Sequence, residues 1–218
     1  MRIQRLILII VLSILAIPIQ AQVGSEKPPE LPYEEMRFFG SISLNYTTIA
    51  DRNAFLMGSD GMYILREQWA LGFSAKVFLN QSAPNLKLGS QYFSSFYTVG
   101  IYAGVKGAYY IPIQTNISLG LPLMLGFGGV AYTGDYYYSN YYQNSIEAQD
   151  GYAIAEPGME VVFRFNESFQ FALLVDYRLT TPVKLKTPDP DKNRQMVLAK
   201  PQAVNGLAIG LALKFGTF

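Results

Sequence analysis

The 218-residue chain contains no cysteine and no histidine. Because it has no cysteine, it forms no disulfide and offers no thiolate ligand to zinc or to an iron–sulfur cluster. Because it has no histidine, it lacks the most common metal ligand and the base of the Ser–His–Asp and Cys–His catalytic arrangements. These two absences exclude Cys- and His-ligated metal sites and the catalytic arrangements that need a histidine base. We therefore expect a protein without a cofactor, without a metal site and without enzymatic activity.

Charge is also scarce, because only 15% of the residues are charged, against about a quarter in an average soluble domain. The 17 Lys and Arg nearly balance the 16 Asp and Glu, which leaves no basic surface for nucleic acid. Half of the residues are hydrophobic, and 16 Tyr and 14 Phe are among them. This composition excludes a disordered chain and is unusual for a soluble domain.

The N-terminus has the layout of a secretory signal peptide. Arg2 and Arg5 precede an apolar run over residues 6–19, and Ala21 ends a small-residue cleavage site. A membrane-spanning helix needs about 20 apolar residues, so this run is short for one, although an uncleaved anchor stays an open alternative. Residues 1–21 are predicted to be a cleaved signal peptide that exports the chain through the inner membrane.

Residues 22–35 are rich in Pro and Glu and predict a periplasmic spacer in an extended conformation. From residue 36 to residue 218 the pattern changes to strict alternation. Between Phe169 and Leu179, for example, bulky apolar residues fill the odd positions, whereas the even positions are mostly polar or small. Eight such strands are predicted, at residues 36–50, 53–65, 68–80, 97–112, 116–132, 151–165, 168–181 and 203–218.

The connectors between these strands differ in length. Three are long and polar or Tyr-rich, at residues 80–96, 133–150 and 182–202, and three are tight, at residues 66–68, 112–116 and 166–168. An even number of strands, with tight turns at one end and long loops at the other, is typical of an outer-membrane β-barrel. The alternative, a secreted β-sandwich, would expose a large apolar patch to water. Aromatic residues such as Trp69, Tyr109, Phe169 and Phe215 gather beside the tight turns, where a membrane-interface girdle is expected.

The signal peptide, the eight alternating strands, the loop asymmetry and the terminal Phe218 resemble the small OmpA/OmpX-like outer-membrane barrels of Gram-negative bacteria. The resemblance implies an all-β fold, a closed antiparallel eight-stranded transmembrane β-barrel, located in the bacterial outer membrane in contact with its lipid. In an unbroken strand Phe218 would lie on the same face as Lys214, whereas the bulky Phe215 and Leu213 would lie on the opposite face. A register break before Phe218 is therefore expected.

The inward-facing positions of the strands carry charges, which an eight-stranded barrel has barely the width to hold. The predicted interior polar network consists of Lys76, Lys106, Glu156, Glu160, Arg164, Asp176, Arg178 and Lys214. A hairpin centred on Glu167 places Gly158 opposite Asp176 and Glu156 opposite Arg178, so an ion pair between Glu156 and Arg178 is predicted. The charges are interpreted as a structural polar plug, which argues against a water-filled channel.

The long connector at residues 133–150 is the candidate partner-binding loop, through Tyr136, Tyr137, Tyr138, Tyr141 and Tyr142. Tyrosine is enriched at protein interfaces, and binding residues concentrate on loops that a rigid scaffold holds. The favoured hypothesis is a structural or accessory subunit whose partner is another outer-membrane protein. Two alternatives stay open: a surface-exposed ligand-binding or adhesion barrel, and a narrow channel for ions or small molecules.

Overall fold

The computed structural model describes residues 37–65, 68–88, 91–138, 141–189, 194–197 and 200–218. The side chains of residues 81–96, 134–147 and 187–199 lie outside this description, as do the predicted signal peptide at 1–21 and spacer at 22–35. Among the described residues, no helix is long and apolar enough to cross a membrane.

The described residues form ten β-strands. They are β1 Arg37–Ile49, β2 Arg52–Leu65, β3 Trp69–Leu88, β4 Gln91–Gln114, β5 Ile117–Tyr138, β6 Tyr141–Arg164, β7 Phe169–Thr180, β8 Lys186–Asp189, β9 Arg194–Val197 and β10 Gly206–Gly216. Eight of them close into one barrel in the order β1-β10-β7-β6-β5-β4-β3-β2, with every neighbouring pair antiparallel. The strands β8 and β9 form a separate hairpin inside the connection from β7 to β10. The predicted all-β, closed, antiparallel eight-stranded barrel is confirmed.

The two faces of each strand differ in chemistry, as the period of two predicts. In β1, Ser41 is 4% exposed inside the barrel, and its neighbour Ile42 is 61% exposed on the outer wall. Large apolar side chains cover the outside of all eight strands. This apolar belt includes Ile42, Leu44, Met57, Leu71, Phe73, Val77, Ile101, Val105, Leu125, Phe127, Met159, Leu173, Val175, Ile209, Leu211 and Leu213. A continuous apolar wall of this kind is the surface that a bilayer covers.

Aromatic rings border the belt at the end with the tight turns. Trp69 lies against Tyr109 with 4.7 Å between the ring centroids, and Phe169 lies 5.2 Å from Phe215 and 5.6 Å from Phe165. Each pair joins neighbouring strands or the two ends of one tight turn, so the rings form a partial girdle. Aromatic rings at this level are typical of the boundary between lipid and water.

Two of the predicted long loops are continuations of the barrel strands. β3 reaches Leu88 before β4 begins at Gln91, and β5 reaches Tyr138 before β6 begins at Tyr141. The expected loops at residues 80–96 and 133–150 are therefore wrong. Beyond the belt neither face of a hairpin meets lipid, so side-chain alternation is no longer required there, although backbone pairing continues. The alternation signal ends before the strands do.

The connection between β1 and β2 is a two-residue turn, although it lies at the end with the long hairpins. Only Ala50 and Asp51 separate the two strands, and their φ angles are 52° and 62°. Positive φ at both central residues is the geometry of the two-residue hairpin turn that matches strand twist.

Phe218 enters the barrel without the expected register break. β10 pairs with β1 in one uninterrupted register as far as Gly216, and Thr217 continues it by donating its backbone N–H to Phe38 O. Phe218 therefore shares the inward parity of Lys214, and its ring lies 5.3 Å from that of Phe39. The predicted break is wrong. The inward positions of β10 before Phe218 hold mostly small residues, such as Ala212 and Gly216, and these fit the lumen without a change of register.

A charge placed in the middle of the belt tests whether the outer wall faces lipid. We expect Leu44→Arg to lower the free energy of unfolding in phospholipid vesicles by about 2–4 kcal/mol, because an arginine at the bilayer midplane loses its hydration. Leu44 lies on the outside of β1, between Met57 and Leu211. Urea unfolding followed by tryptophan fluorescence measures the change.

Asn53→Arg, beside the tight β1–β2 turn, is the matched control and should change the stability little, because Asn53 is exposed at a strand end. Equal, small effects of both arginines would mean that the wall does not contact lipid.

Candidate functional site

Charged side chains fill the middle of the barrel. Among the side chains that the structure describes, four cations and four carboxylates lie inside at this level. We call them the interior charge layer: Asp60, Lys76, Lys106, Glu156, Glu160, Asp176, Arg178 and Lys214. The layer is electrically balanced, which is the condition for holding charges in a lumen that excludes most water.

Lys76 joins three strands across the lumen. Its Nζ lies 3.0 Å from Glu156 Oε2 and 3.0 Å from Asp176 Oδ2, so one cation of β3 bridges carboxylates of β6 and β7. Tyr102 of β4 donates its hydroxyl to Glu156 Oε1 over 3.1 Å. All four side chains are buried, so each carboxylate depends on these contacts for its compensation.

Two further ion pairs complete the layer. Lys106 Nζ lies 2.7 Å from Asp60 Oδ2, and Ser41 donates its hydroxyl to the same oxygen. Lys214 Nζ pairs with Glu160 Oε1 and also donates to the hydroxyl of Tyr110 over 3.1 Å.

The predicted ion pair between Glu156 and Arg178 is wrong, although the predicted register is right. Gly158 lies opposite Asp176 as expected, and the pairing of Ala155 with Leu179 follows the same register. The guanidinium of Arg178 is instead held by oxygens at the outer end of the layer. It donates from Nε to Val204 O over 3.1 Å and from Nη2 to Thr47 Oγ1 over 2.6 Å. The carboxylate of Glu156 forms its ion pair with Lys76, which extends across the lumen from β3.

The interior charge layer differs from the predicted polar network at two residues: Arg164 is not part of it, and Asp60 is. Arg164 points inward but lies at the end of β6, is exposed, and makes no ion pair with any residue that the structure describes. Asp60 of β2 was missed because large apolar residues on both faces of that strand, such as Phe55 and Leu56, conceal its alternation. The closed pairing of β2 with β1 and β3 places Asp60 inside.

Glycines on neighbouring strands make room for the buried carboxylates. A Cβ atom added at Gly158 would lie 2.1 Å from Asp176 Oδ1, and one added at Gly120 would lie 2.6 Å from Glu160 Cγ. These glycines lie directly opposite the acids in the sheet pairing. A glycine thus faces two of the four interior acids, Glu160 and Asp176.

The connection from β7 to β10 closes the lumen at the end with the long hairpins. Val183, Leu185 and Val204 of this connection are at most 1% exposed and belong to one apolar cluster with Ile49, Leu56 and other inward residues of the strands. We call Val183, Leu185 and Val204 the outer plug. Ala50 donates its backbone N–H to Ala203 O over 2.8 Å, which attaches this connection to the rim. The sequence predicts a long polar connector at residues 182–202, but Val183 and Leu185 alternate there with Lys184 and Lys186 and point into the lumen.

The five candidate tyrosines lie in the hairpin of β5 and β6. Their backbones pair across it, with Tyr137 opposite Tyr142 and Tyr138 opposite Tyr141. Their side chains lie outside the described residues, so their role as a partner-binding surface stays a prediction.

No group of three or more acidic side chains within the described part of the chain is arranged to hold a metal ion. The expected absence of a cofactor is still a prediction.

No family model matches this chain, and a search of curated proteins gives no match. Among solved structures, the chain is similar to Neisserial surface protein A at 11% identity, over 84% of this chain and 97% of that one, with a TM-score of 0.45. It is also similar to the N-terminal β-barrel domain of Pseudomonas aeruginosa OprF at 12% identity, over 84% and 99% of the two chains, with a TM-score of 0.40.

A third similar structure is Ail, the attachment invasion locus protein of Yersinia pestis, in complex with the heparin analogue sucrose octasulfate. Its identity is 12%, over 83% of this chain and 97% of that one, with a TM-score of 0.42. These similarities concern the fold alone.

Removing the central cation of the interior charge layer tests whether the ion pairs hold the lumen together. Lys76→Met leaves Glu156 and Asp176 buried without their cation, and we expect the free energy of unfolding to fall by about 3–5 kcal/mol. Urea unfolding in vesicles measures it. Lys200→Met, which breaks the exposed pair with Asp51, is the matched control and should cost far less because water solvates both groups.

A further variant separates lost charge compensation from lost packing. Adding Glu156→Gln and Asp176→Asn to Lys76→Met removes the uncompensated charges and should restore part of the stability. If the triple variant were no more stable than Lys76→Met, the loss would come from packing and not from charge.

Proposed function

We propose that this chain is an outer-membrane β-barrel with a closed interior, which acts as a structural or accessory subunit for another outer-membrane protein. The observation that carries the proposal is the filled lumen. The interior charge layer occupies its middle, and the outer plug closes its end beside the long hairpins. A barrel whose middle and one end are filled is not built to pass solutes from one side of the membrane to the other, so we do not assign it a pore function.

The bilayer location is supported by the physics of the outer wall. The apolar belt surrounds all eight strands, whereas a water-soluble protein seldom exposes a contiguous apolar patch larger than about 600 Å². Closure of the sheet leaves no unpaired edge, which lipid would not tolerate. The signal peptide predicted at residues 1–21 would supply export, and lipid would be the first partner of the wall.

The long hairpins are the surfaces that would extend beyond the lipid. β5 has 22 residues and β6 has 24, whereas a tilted strand crosses a bilayer in about 9–11. A large part of this hairpin therefore projects beyond the membrane, at the end with the outer plug. Its tip carries the five tyrosines, a residue type enriched at protein interfaces. The same projection would also serve a surface-exposed ligand-binding or adhesion barrel, so that alternative needs a direct test.

Extraction in mild detergent tests the accessory-subunit proposal. We expect a particle larger than one barrel, with a companion outer-membrane protein at constant stoichiometry through two chromatography steps. Replacing Tyr136, Tyr137, Tyr138, Tyr141 and Tyr142 by Ser should release the companion. The matched control is Tyr92→Ser with Phe93→Ser in the hairpin of β3 and β4, which should retain it.

A lone barrel from the wild-type chain would overturn the accessory role and favour the ligand-binding alternative. Equal loss of the companion in both hairpin variants would show that the tyrosines are not the contact.

Planar-bilayer recording tests the remaining alternative, a narrow channel. We expect no steady conductance from the reconstituted wild-type barrel, because the charge layer and the outer plug leave no continuous aqueous path. Stepwise currents that persist in Lys76→Met and Val204→Ala at unchanged amplitude would arise from contaminating porin. Currents whose amplitude changes in these variants would overturn the closed-lumen proposal.

A further inference from the structure

The end of the lumen with the tight turns is open, in contrast to the plugged end. A cavity of about 320 Å³ lies there, inside the barrel. We call it the vestibule and define it by Arg37, Phe39, Tyr110, Arg164, Gln170 and Phe218, which come from strands all around the barrel and from the C-terminus. In outer-membrane barrels the tight turns face the periplasm, so the vestibule would open to that compartment.

The side chains that line the vestibule include two arginines without an acidic side-chain partner among the described residues. Among the described residues of its lining, Arg37 and Arg164 are the ones with a charged side chain, and none of these residues has an acidic side chain. Neither arginine makes an ion pair with any residue that the structure describes, whereas the nearest buried cation, Lys214, is neutralised by Glu160. Two guanidinium groups at one concave site match the planar oxygens of a carboxylate or a phosphate.

The lining also offers a polar group and an apolar surface beside the arginines. Gln170 is buried at the wall of the cavity, and its amide makes no hydrogen bond to another residue that the structure describes, so it can bond to a ligand. The rings of Phe39 and Phe218, tilted by 36° to each other, form an apolar wall of the same cavity. The volume lies at the lower end of small-molecule sites, which span about 300–1,000 Å³.

We propose that the vestibule binds a small organic anion from the periplasmic side. The anionic group, a carboxylate or a phosphate, lies between Arg37 and Arg164, and an apolar portion of about one ring in size lies against Phe39 and Phe218. This site is at the opposite end of the barrel from the Tyr-rich hairpin, so it does not depend on the accessory-subunit proposal.

Calorimetric titration of the purified full chain in detergent tests the site, with benzoate and phenyl phosphate as probes. Benzyl alcohol is the neutral control of similar size, and empty micelles supply the blank. We expect benzoate or phenyl phosphate to bind at millimolar concentration or tighter at low salt, and benzyl alcohol to give only the heat of the blank. The tighter of the two anions identifies whether the group is a carboxylate or a phosphate.

Matched arginine variants locate the binding. Arg164→Gln should weaken the binding of the anion about tenfold or more, because it removes a charge-assisted hydrogen-bond donor from the lining. Arg164→Lys, which keeps the charge, should recover part of the loss. Arg52→Gln, at the end with the outer plug, should leave the affinity unchanged. Arg37→Gln provides a second test from β1 should the Arg164 variant fold poorly.

The proposal is overturned if neither anion gives heat above the blank. It is equally overturned if benzyl alcohol binds as tightly as benzoate, or if Arg37→Gln and Arg164→Gln both retain wild-type affinity. Loss of affinity in Arg52→Gln as large as in Arg164→Gln would also contradict it, because that result would mark a general effect of charge on the micelle.

Discussion

The interior of this barrel depends on compensating buried charges in a lumen too narrow to hydrate them, by ion pairs for the lysines and carboxylates and by neutral oxygens for Arg178. Lys76 shows the constraint most clearly, since a single ammonium group on β3 compensates carboxylates on β6 and β7. Buried ion pairs cost desolvation and contribute little net stability, but an unpaired member is severely destabilising. The glycines at 120 and 158 follow from the same constraint, because the acid side chains need space beside the wall. The interior is therefore one linked set of contacts across the barrel.

The composition of the outer wall is set by contact with lipid and not by contact with water. Lipid requires large apolar side chains at the outward positions and a backbone with no unpaired edge, and the closed sheet meets both demands. The aromatic pairs at the end opposite the long hairpins lie where the apolar outer surface ends. At the other end β3, β4, β5 and β6 continue past the belt as two paired hairpins, and β5 and β6 have 22 and 24 residues, against the about 9–11 that a tilted strand needs to cross a bilayer.

The two ends consequently differ in chemistry and in what they can recognise. The plugged end presents long hairpins around a dry apolar cluster that contains Val183, Leu185 and Val204. The end with the tight turns presents a concave, positively charged vestibule with two aromatic rings. The interior charge layer and the outer plug lie between the vestibule and the long hairpins. A macromolecular partner suits the first end, and a small anionic ligand suits the second.

Alternation of side chains is a local property, and it determined the eight strands, their antiparallel order and the face that each residue presents. It also placed Gly158 opposite Asp176, because a tight turn sets the register of a hairpin. The tertiary structure alone decided which charges meet. Arg178 donates hydrogen bonds to Val204 and Thr47, and Lys76 forms the ion pair with Glu156. Asp60, and not Arg164, belongs to the balanced layer. These choices depend on distances across the lumen and on side-chain reach, which link residues far apart in the chain. The lengths of the hairpins were likewise decided by backbone pairing, since beyond the lipid no pattern of side chains is needed to maintain it.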